Sequence, residues 1–280
     1  MERLTLLLRC PDAPGIVADV TGWLAQRGAN IIDAAQTTDA DAGLFLQRIV
    51  FDTDHGRAET AAAFAAVAAR WGMAWELHAA TGPARMAVLV SRDGHCLYDL
   101  LGRCATGDLD AEIVTVISNH TDHAPAAERF AIPFHHVPVI GGDRSAQEAG
   151  VLDALDAASV DVVVLARYMR VLSPRFCEQY GPATINIHHS FLPAFIGADA
   201  YAQAHRRGVK LVGATAHYVT DGLDEGPIIA QDVIPVGPAD TAEVMATRGR
   251  DLEGSVLATA VRAHLEHRVL RYGNRTVVFA

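Results

Sequence analysis

The chain has 280 residues, half of them hydrophobic and a fifth charged, enough for one large domain or two smaller ones with a sizeable core. Its formal net charge of -10 argues against nucleic acid as a main partner, because neutralising phosphates takes a basic face. Cys10, Cys96, Cys104 and Cys177 are scattered with no Cys-x-x-Cys pair, so free thiols in a reducing compartment are expected. Met1–Thr5 lacks the apolar core of a signal peptide, and no apolar run is long enough to span a bilayer. A cytoplasmic location with no membrane partner follows as an expectation.

Residues Arg3–Arg9 alternate as a strand and run into the tight loop Cys10–Gly15. Ile16, Val17, Val20, Trp23 and Leu24 then share one helical face, and Gly28 closes that helix. Asn30–Thr37 and Leu44–Asp52 read as strands joined by a turn at Asp39–Gly43. An Ala-rich helix over Ala58–Arg70 and a strand over Met73–Ala79 follow. The order is βαββαβ, a ferredoxin-like small domain. Asp12-Ala13-Pro14-Gly15 before a helix, then Gly28-Ala29-Asn30-Ile31, resembles an ACT domain. That resemblance implies an amino-acid effector as a possible partner and edge-to-edge pairing into a homo-oligomer. The bland alternative is that Asp12 and Gly15 only shape a turn.

Ala80-Thr81-Gly82-Pro83 is a hinge, so the expected division is an ACT-like domain over 1–80, a linker at 81–84 and a second domain over 85–280. In the second domain, strands expected at Arg85–Ser91, Ala111–Ser118, Phe134–Val137 and Asp161–Ala166 alternate with helices at His95–Cys104, Asp122–Phe130, Ala146–Ala158 and Ser173–Tyr180. Such alternation predicts a Rossmann-like, mostly parallel sheet. Further strands at Lys210–Tyr218 and Ile228–Ile234, a helix near Ala200–Arg207, a long helix over Thr241–Glu266 and a hairpin in Val269–Phe279 complete it. The fold class is α/β. No Gly-x-Gly-x-x-Gly and no phosphate loop is present.

Two stretches carry the polar groups. Thr184-Ile185-Asn186-Ile187-His188-His189-Ser190-Phe191-Leu192-Pro193 starts as a β-branched strand and ends in an amide, two imidazoles and a hydroxyl. Ligands of α/β sheets bind outside such strand ends. Asn186 and His188 are two apart, so on a strand they share a face and can aim two donors at one developing oxyanion. His189 should point away. The second stretch holds Asp221, Asp224 and Glu225 in a Gly-containing turn, where partial burial would raise a carboxyl pKa toward acid/base use. Spacing does not choose among the three. Adjacent His residues on a strand face opposite ways, and no cysteine falls at ligand spacing, so no metal is expected. Ser190 adjoins His189, but without a nucleophile elbow.

Asn186–Pro193 together with His217 through Asp224 resembles the folate-dependent formyltransferase fold. The doubled His, the stretch His95-Cys96-Leu97-Tyr98-Asp99-Leu100-Leu101, the ACT-like domain in front and the ending Tyr272-Gly273-Asn274-Arg275-Thr276 resemble the formyltetrahydrofolate deformylases across the whole chain. The resemblance implies that Asn186 and His188 meet the formyl oxygen and that Asp224 is the catalytic carboxylate. It also implies that Met169, Arg170, Val171 and Leu172, with Thr220 and Asp221, hold the pterin. The implied reaction is hydrolysis of 10-formyltetrahydrofolate by water to formate and tetrahydrofolate, balancing the one-carbon pool and supplying formate for purine synthesis, with no cofactor. The alternative is a transferase passing the formyl group to an amine; a third reading is a sensor without turnover. One departure stands out. Where the family pattern has Arg-Pro, this chain has Asp199-Ala200, which either caps the next helix or alters the mouth of the site.

Overall fold

In the computed structural model, which describes residues 1–80, 82–194 and 200–280, the expected elements form in the expected order. They are β1 (Glu2–Pro11), α1 (Ile16–Gln26), β2 (Asn30–Asp39), β3 (Leu44–Thr53), α2 (Arg57–Trp71), β4 (Ala74–Ala79), β5 (Ala84–Val90), α3 (His95–Thr106) and β6 (Ala111–Ser118). There follow α4 (Ala124–Arg129), β7 (Phe134–His136), α5 (Arg144–Ala158), β8 (Val162–Ala166), α6 (Pro174–Tyr180) and β9 (Thr184–His188). The chain ends in α7 (Ala200–Arg207), β10 (Leu211–Tyr218), β11 (Ile228–Pro235), α8 (Ala242–Leu265), β12 (Val269–Tyr272) and β13 (Arg275–Val278).

The first unit is an antiparallel sheet of order β2-β3-β1-β4. One face of β1 buries Leu4, Leu6 and Leu8 against Ile16, Val20 and Leu24 of α1 and Phe64 of α2. Trp23 and Trp75 meet Phe64 edge-on at 5.2 and 5.1 Å between ring centres, the arrangement aromatic quadrupoles favour.

The second unit is a seven-stranded sheet of order β11-β10-β9-β8-β5-β6-β7. Strands β5 to β9 pair in parallel, and β8, buried at every residue, lies next to β5 in the middle of it. Helical alternation does not keep the whole sheet parallel: β10 runs antiparallel to both β9 and β11. The two polar stretches therefore meet side by side, one leaving β9 and the other leaving β10. Ser173 caps α6 as its sequence predicts, accepting from Phe176 N. No described helix is long and apolar enough to cross a membrane.

The expected domain division needs one correction. Glu266–Ala280 groups with Met1–Gly82, and the second unit ends at Leu265. The β12–β13 hairpin buries Leu270 and Phe279 against Leu7 and Leu46. Arg48 donates to the main-chain oxygens of His267 and Glu266 at 3.0 and 3.2 Å. These contacts join residues more than two hundred positions apart, beyond the reach of local periodicity. Phe279→Ala should therefore destabilise the first unit by about 3 kcal/mol, the typical loss for a buried phenylalanine. All three tryptophans lie in that unit, so intrinsic fluorescence during denaturant unfolding reads it directly. An unchanged fluorescence midpoint would contradict the assignment.

Candidate active site

Strand β9 ends between two neighbours that differ in direction. Asn186 lies opposite Leu165 of β8 on one side and His217 of β10 on the other. A bulge between Ala216 and His217 on β10 re-aims His217 at the point where the ladder with β11 slips. The loop after β10 folds back tightly, with Tyr218 N bonded to Pro227 O at 2.9 Å. Gly226 permits this, because a Cβ there would lie 1.8 Å from the Tyr218 carbonyl oxygen. Asp224 sits in the left-handed region at φ 56, a conformation aspartate tolerates better than most residues. Non-glycine residues held there cluster at functional sites.

That turn brings the Asp224 carboxylate between two imidazoles. Its Oδ2 is 3.2 Å from His188 Nδ1, and its Oδ1 is 3.7 Å from His217 Nε2. The side chain is 10 % exposed. His217 Nδ1 donates to the Tyr218 carbonyl at 2.8 Å, and its Nε2 faces both Asn186 Nδ2, at 3.2 Å, and Asp224. His188 donates through Nδ1, and its Nε2 is buried with no hydrogen-bond partner among the described residues. Four side chains thus form one chain of contacts, Asn186 to His217 to Asp224 to His188.

Burial alone would raise the Asp224 pKa, which is what its place in a cleft leads one to expect. The structure reverses the direction. Hydrogen bonds from His188 and His217, and the charge these rings can carry, outweigh burial and hold the carboxyl well below the usual carboxylate range. Asp224 is an anion.

A cavity of about 230 Å³ opens onto these groups. Its floor is Asn186, His188 and His217; residues 169–172 form one wall and residues 220–224 the other. Asn186, His188, Asp224, Met169–Leu172, Thr220 and Asp221 all line it, whereas Glu225 and Ser190 do not. The first wall is pinned at both ends: Met169 N donates to Ser91 Oγ at 3.1 Å, and Ser173 N donates to Glu148 Oε2 at 2.8 Å. Three apolar side chains stand exposed on the walls, Met169, Val171 and Leu223.

One expectation changes here, and the reading of Ser190 does not. His189 does not point away from the site. Strand β9 ends at His188, so alternation no longer governs the next residue, and His189 is buried and lines the same cavity. Ser190 Oγ donates to the Ala194 carbonyl at 2.6 Å, an internal loop bond that leaves no role as nucleophile. Asp199 lies outside the described residues. His217 is the residue the sequence underweights: a single histidine at the end of an apolar strand looks like a core residue, and the bulge that turns it into the site has no sequence signature. Arg167, another lining residue, is also missed: its left-handed turn after β8 has no sequence signature.

The formyl transferase family matches residues 84–261 and the ACT domain family matches residues 4–63. A formyltetrahydrofolate deformylase of Synechocystis sp. is 48% identical over 285 residues, spanning 100% of both chains. One from Bacillus subtilis is 49% identical over 282 residues, covering 99% of this chain and 94% of that one. The crystal structure of a formyltetrahydrofolate deformylase from Pseudomonas syringae superposes with a TM-score of 0.96 at 44% identity, covering 100% of this chain and 95% of that chain. With its ACT domain, its formyl transferase domain and this full-length similarity, the chain belongs to the formyltetrahydrofolate deformylase family.

Proposed function

We propose that this chain hydrolyses 10-formyltetrahydrofolate to formate and tetrahydrofolate, with Asn186, His188 and Asp224 as catalytic residues. The observation that carries the reading is the ionised Asp224 held between two imidazoles, with His188 Nε2 buried at the cavity floor and unpartnered among the described residues. An amide carbonyl under attack by water needs donors where its oxygen becomes an anion. His188 Nε2–H, in the imidazolium form, and an Asn186 amide N–H supply two from one floor. The Asp224 anion stabilises positive charge on His188 at that moment and orients the attacking water. A carboxyl held so far toward ionisation is a poor proton store, so the proton leaving the water passes on to N10. N10 then departs as a neutral amine, and the formyl carbon leaves as formic acid, which loses its remaining proton to solvent to become formate. No metal or redox cofactor is called for in this scheme.

The pterin lies between residues 169–172 and Thr220–Asp224 in this reading. Val171 and Leu223 offer apolar surface to a flat ring, and the main-chain groups of both loops offer hydrogen bonds at its edge. For the first unit we keep an amino-acid effector and assembly into a homo-oligomer; β2 is an exposed edge carrying Ile31 and Ile32.

Incubation with 10-formyltetrahydrofolate and no acceptor tests the reaction. Stoichiometric formate is expected from the wild type, and Asp224→Asn should lower kcat/KM by about 10²–10³, the scale for losing one preorganised electrostatic group. Absence of formate until an amine is added would replace the hydrolase with a transferase. The charge state of Asp224 is tested separately by ¹³C NMR of its carboxyl. Because its folded pKa lies below its unfolded one, Asp224 contributes stability above the unfolded value near about pH 4 and loses it as pH falls toward the folded value. No Asp224 titration is expected between about pH 5 and 9; a transition there would contradict the assignment.

A further inference from the structure

Behind the cavity, a carboxylate is buried in the middle of α8. Glu253 is 1% exposed. Its Oε1 accepts from the Tyr201 hydroxyl at 2.8 Å, and its Oε2 lies 2.8 Å from His95 Nε2 and 3.5 Å from Arg167 Nε. Burial opposes the charge, but the His95 bond and the Arg167 guanidinium outweigh it and hold the carboxyl below its usual range. Arg167 also donates to Asp93 Oδ2 at 3.1 Å through Nη2, while its Nε and Nη1 are buried without hydrogen-bond partners among the described residues. Buried ion pairs add little to stability that apolar packing could not supply. The fold alone therefore gives no reason for a charge at this place.

Two features give one. Arg167 has φ 63, a left-handed conformation unfavourable to a side chain of its size, and it leads directly into Tyr168 and the cavity wall at 169–172. Gly249, one turn before Glu253 on α8, leaves a notch for Tyr201: a Cβ there would lie 1.9 Å from the Tyr201 hydroxyl oxygen. The Tyr201 ring centre is in turn 5.9 Å from that of His189, which lines the cavity. Glu253 itself does not line it.

We propose that Glu253 is a positioning residue for the substrate cavity. It holds Arg167 in its left-handed turn, and through it the wall at 169–172, and it seats Tyr201 beside His189. This rests on the hydrolase reading above. His95, Cys96 and Glu253 also present ligand atoms within 4.8 Å of one another, a grouping that could hold a metal ion. The Arg167 guanidinium beside the same carboxylate opposes a cation, and burial pushes the Cys96 thiol well above its usual range, away from the thiolate a metal needs. The group is a hydrogen-bonded hub.

Glu253→Gln keeps the shape and removes the charge. In steady-state formate release, KM is expected to rise about tenfold while kcat changes less than about threefold. In an Arg167→Gln background the same substitution should move KM little, because the effect passes through Arg167. Three results would each overturn the proposal: unchanged KM in folded Glu253→Gln, KM losses that multiply across the two sites, or one equivalent of tightly bound zinc in the purified wild type. Should Glu253→Gln fail to fold, Tyr201→Phe carries the test, with a smaller rise in KM expected and a wild-type KM overturning the proposal. If the wild type releases no formate, the hydrolase reading fails instead. Calorimetric binding of tetrahydrofolate, weakened or not by Glu253→Gln, then decides the positioning role.

Discussion

A carboxylate keeps its charge away from water only where other groups replace the water's hydrogen bonds. Asp224 meets that condition through two imidazoles, His188 and His217, and much of the second unit serves to hold those three groups at one place. The parallel strands bring Asn186 and His188 to a carboxyl strand end. The antiparallel β10 brings His217 alongside, and the bulge at Ala216–His217 turns it inward. Gly226 lets the following loop fold back close enough for Asp224 to reach both rings. Each device is local, and none explains the site without the others.

The same reasoning accounts for the division of labour between imidazoles. His217 is held by its Tyr218 carbonyl bond, so its Nε2 stays directed at Asn186 and Asp224. His188 has one nitrogen committed to Asp224 and the other buried and uncommitted. Unpaired buried polar atoms cost free energy, and a ligand oxygen at that point would remove the cost as it accumulates charge. Stabilisation is then greatest where the oxyanion forms, which is the condition for raising kcat.

Much of this was legible in the residues. The β-branched run ending in Asn-x-His placed a strand end with two donors on one face, and the period-two and period-3.6 patterns gave the order of elements. Resemblance, not spacing, chose Asp224 over Asp221 and Glu225; the structure brings Asp224, rather than its neighbours, within reach of both imidazoles, through a backbone angle no side-chain pattern records. Its pKa shift runs opposite to the sequence expectation, because burial can be guessed from a turn between strands, whereas two partners from β9 and β10 cannot. His189, His217 and the return of residues 266–280 to the first unit all depend on where a strand stops, slips or pairs at long range. Those are tertiary outcomes, and a linear pattern carries little information about them.

The central claim is that Asp224 and His188 act as one unit. A double-mutant cycle on kcat/KM for formate release, with Asp224→Asn and His188→Asn, tests it most directly. If the pair works together, the double variant should be within about threefold of the slower single variant, since the second substitution removes nothing further. Losses that multiply across the two sites would mean that the residues contribute separately, and would contradict the account.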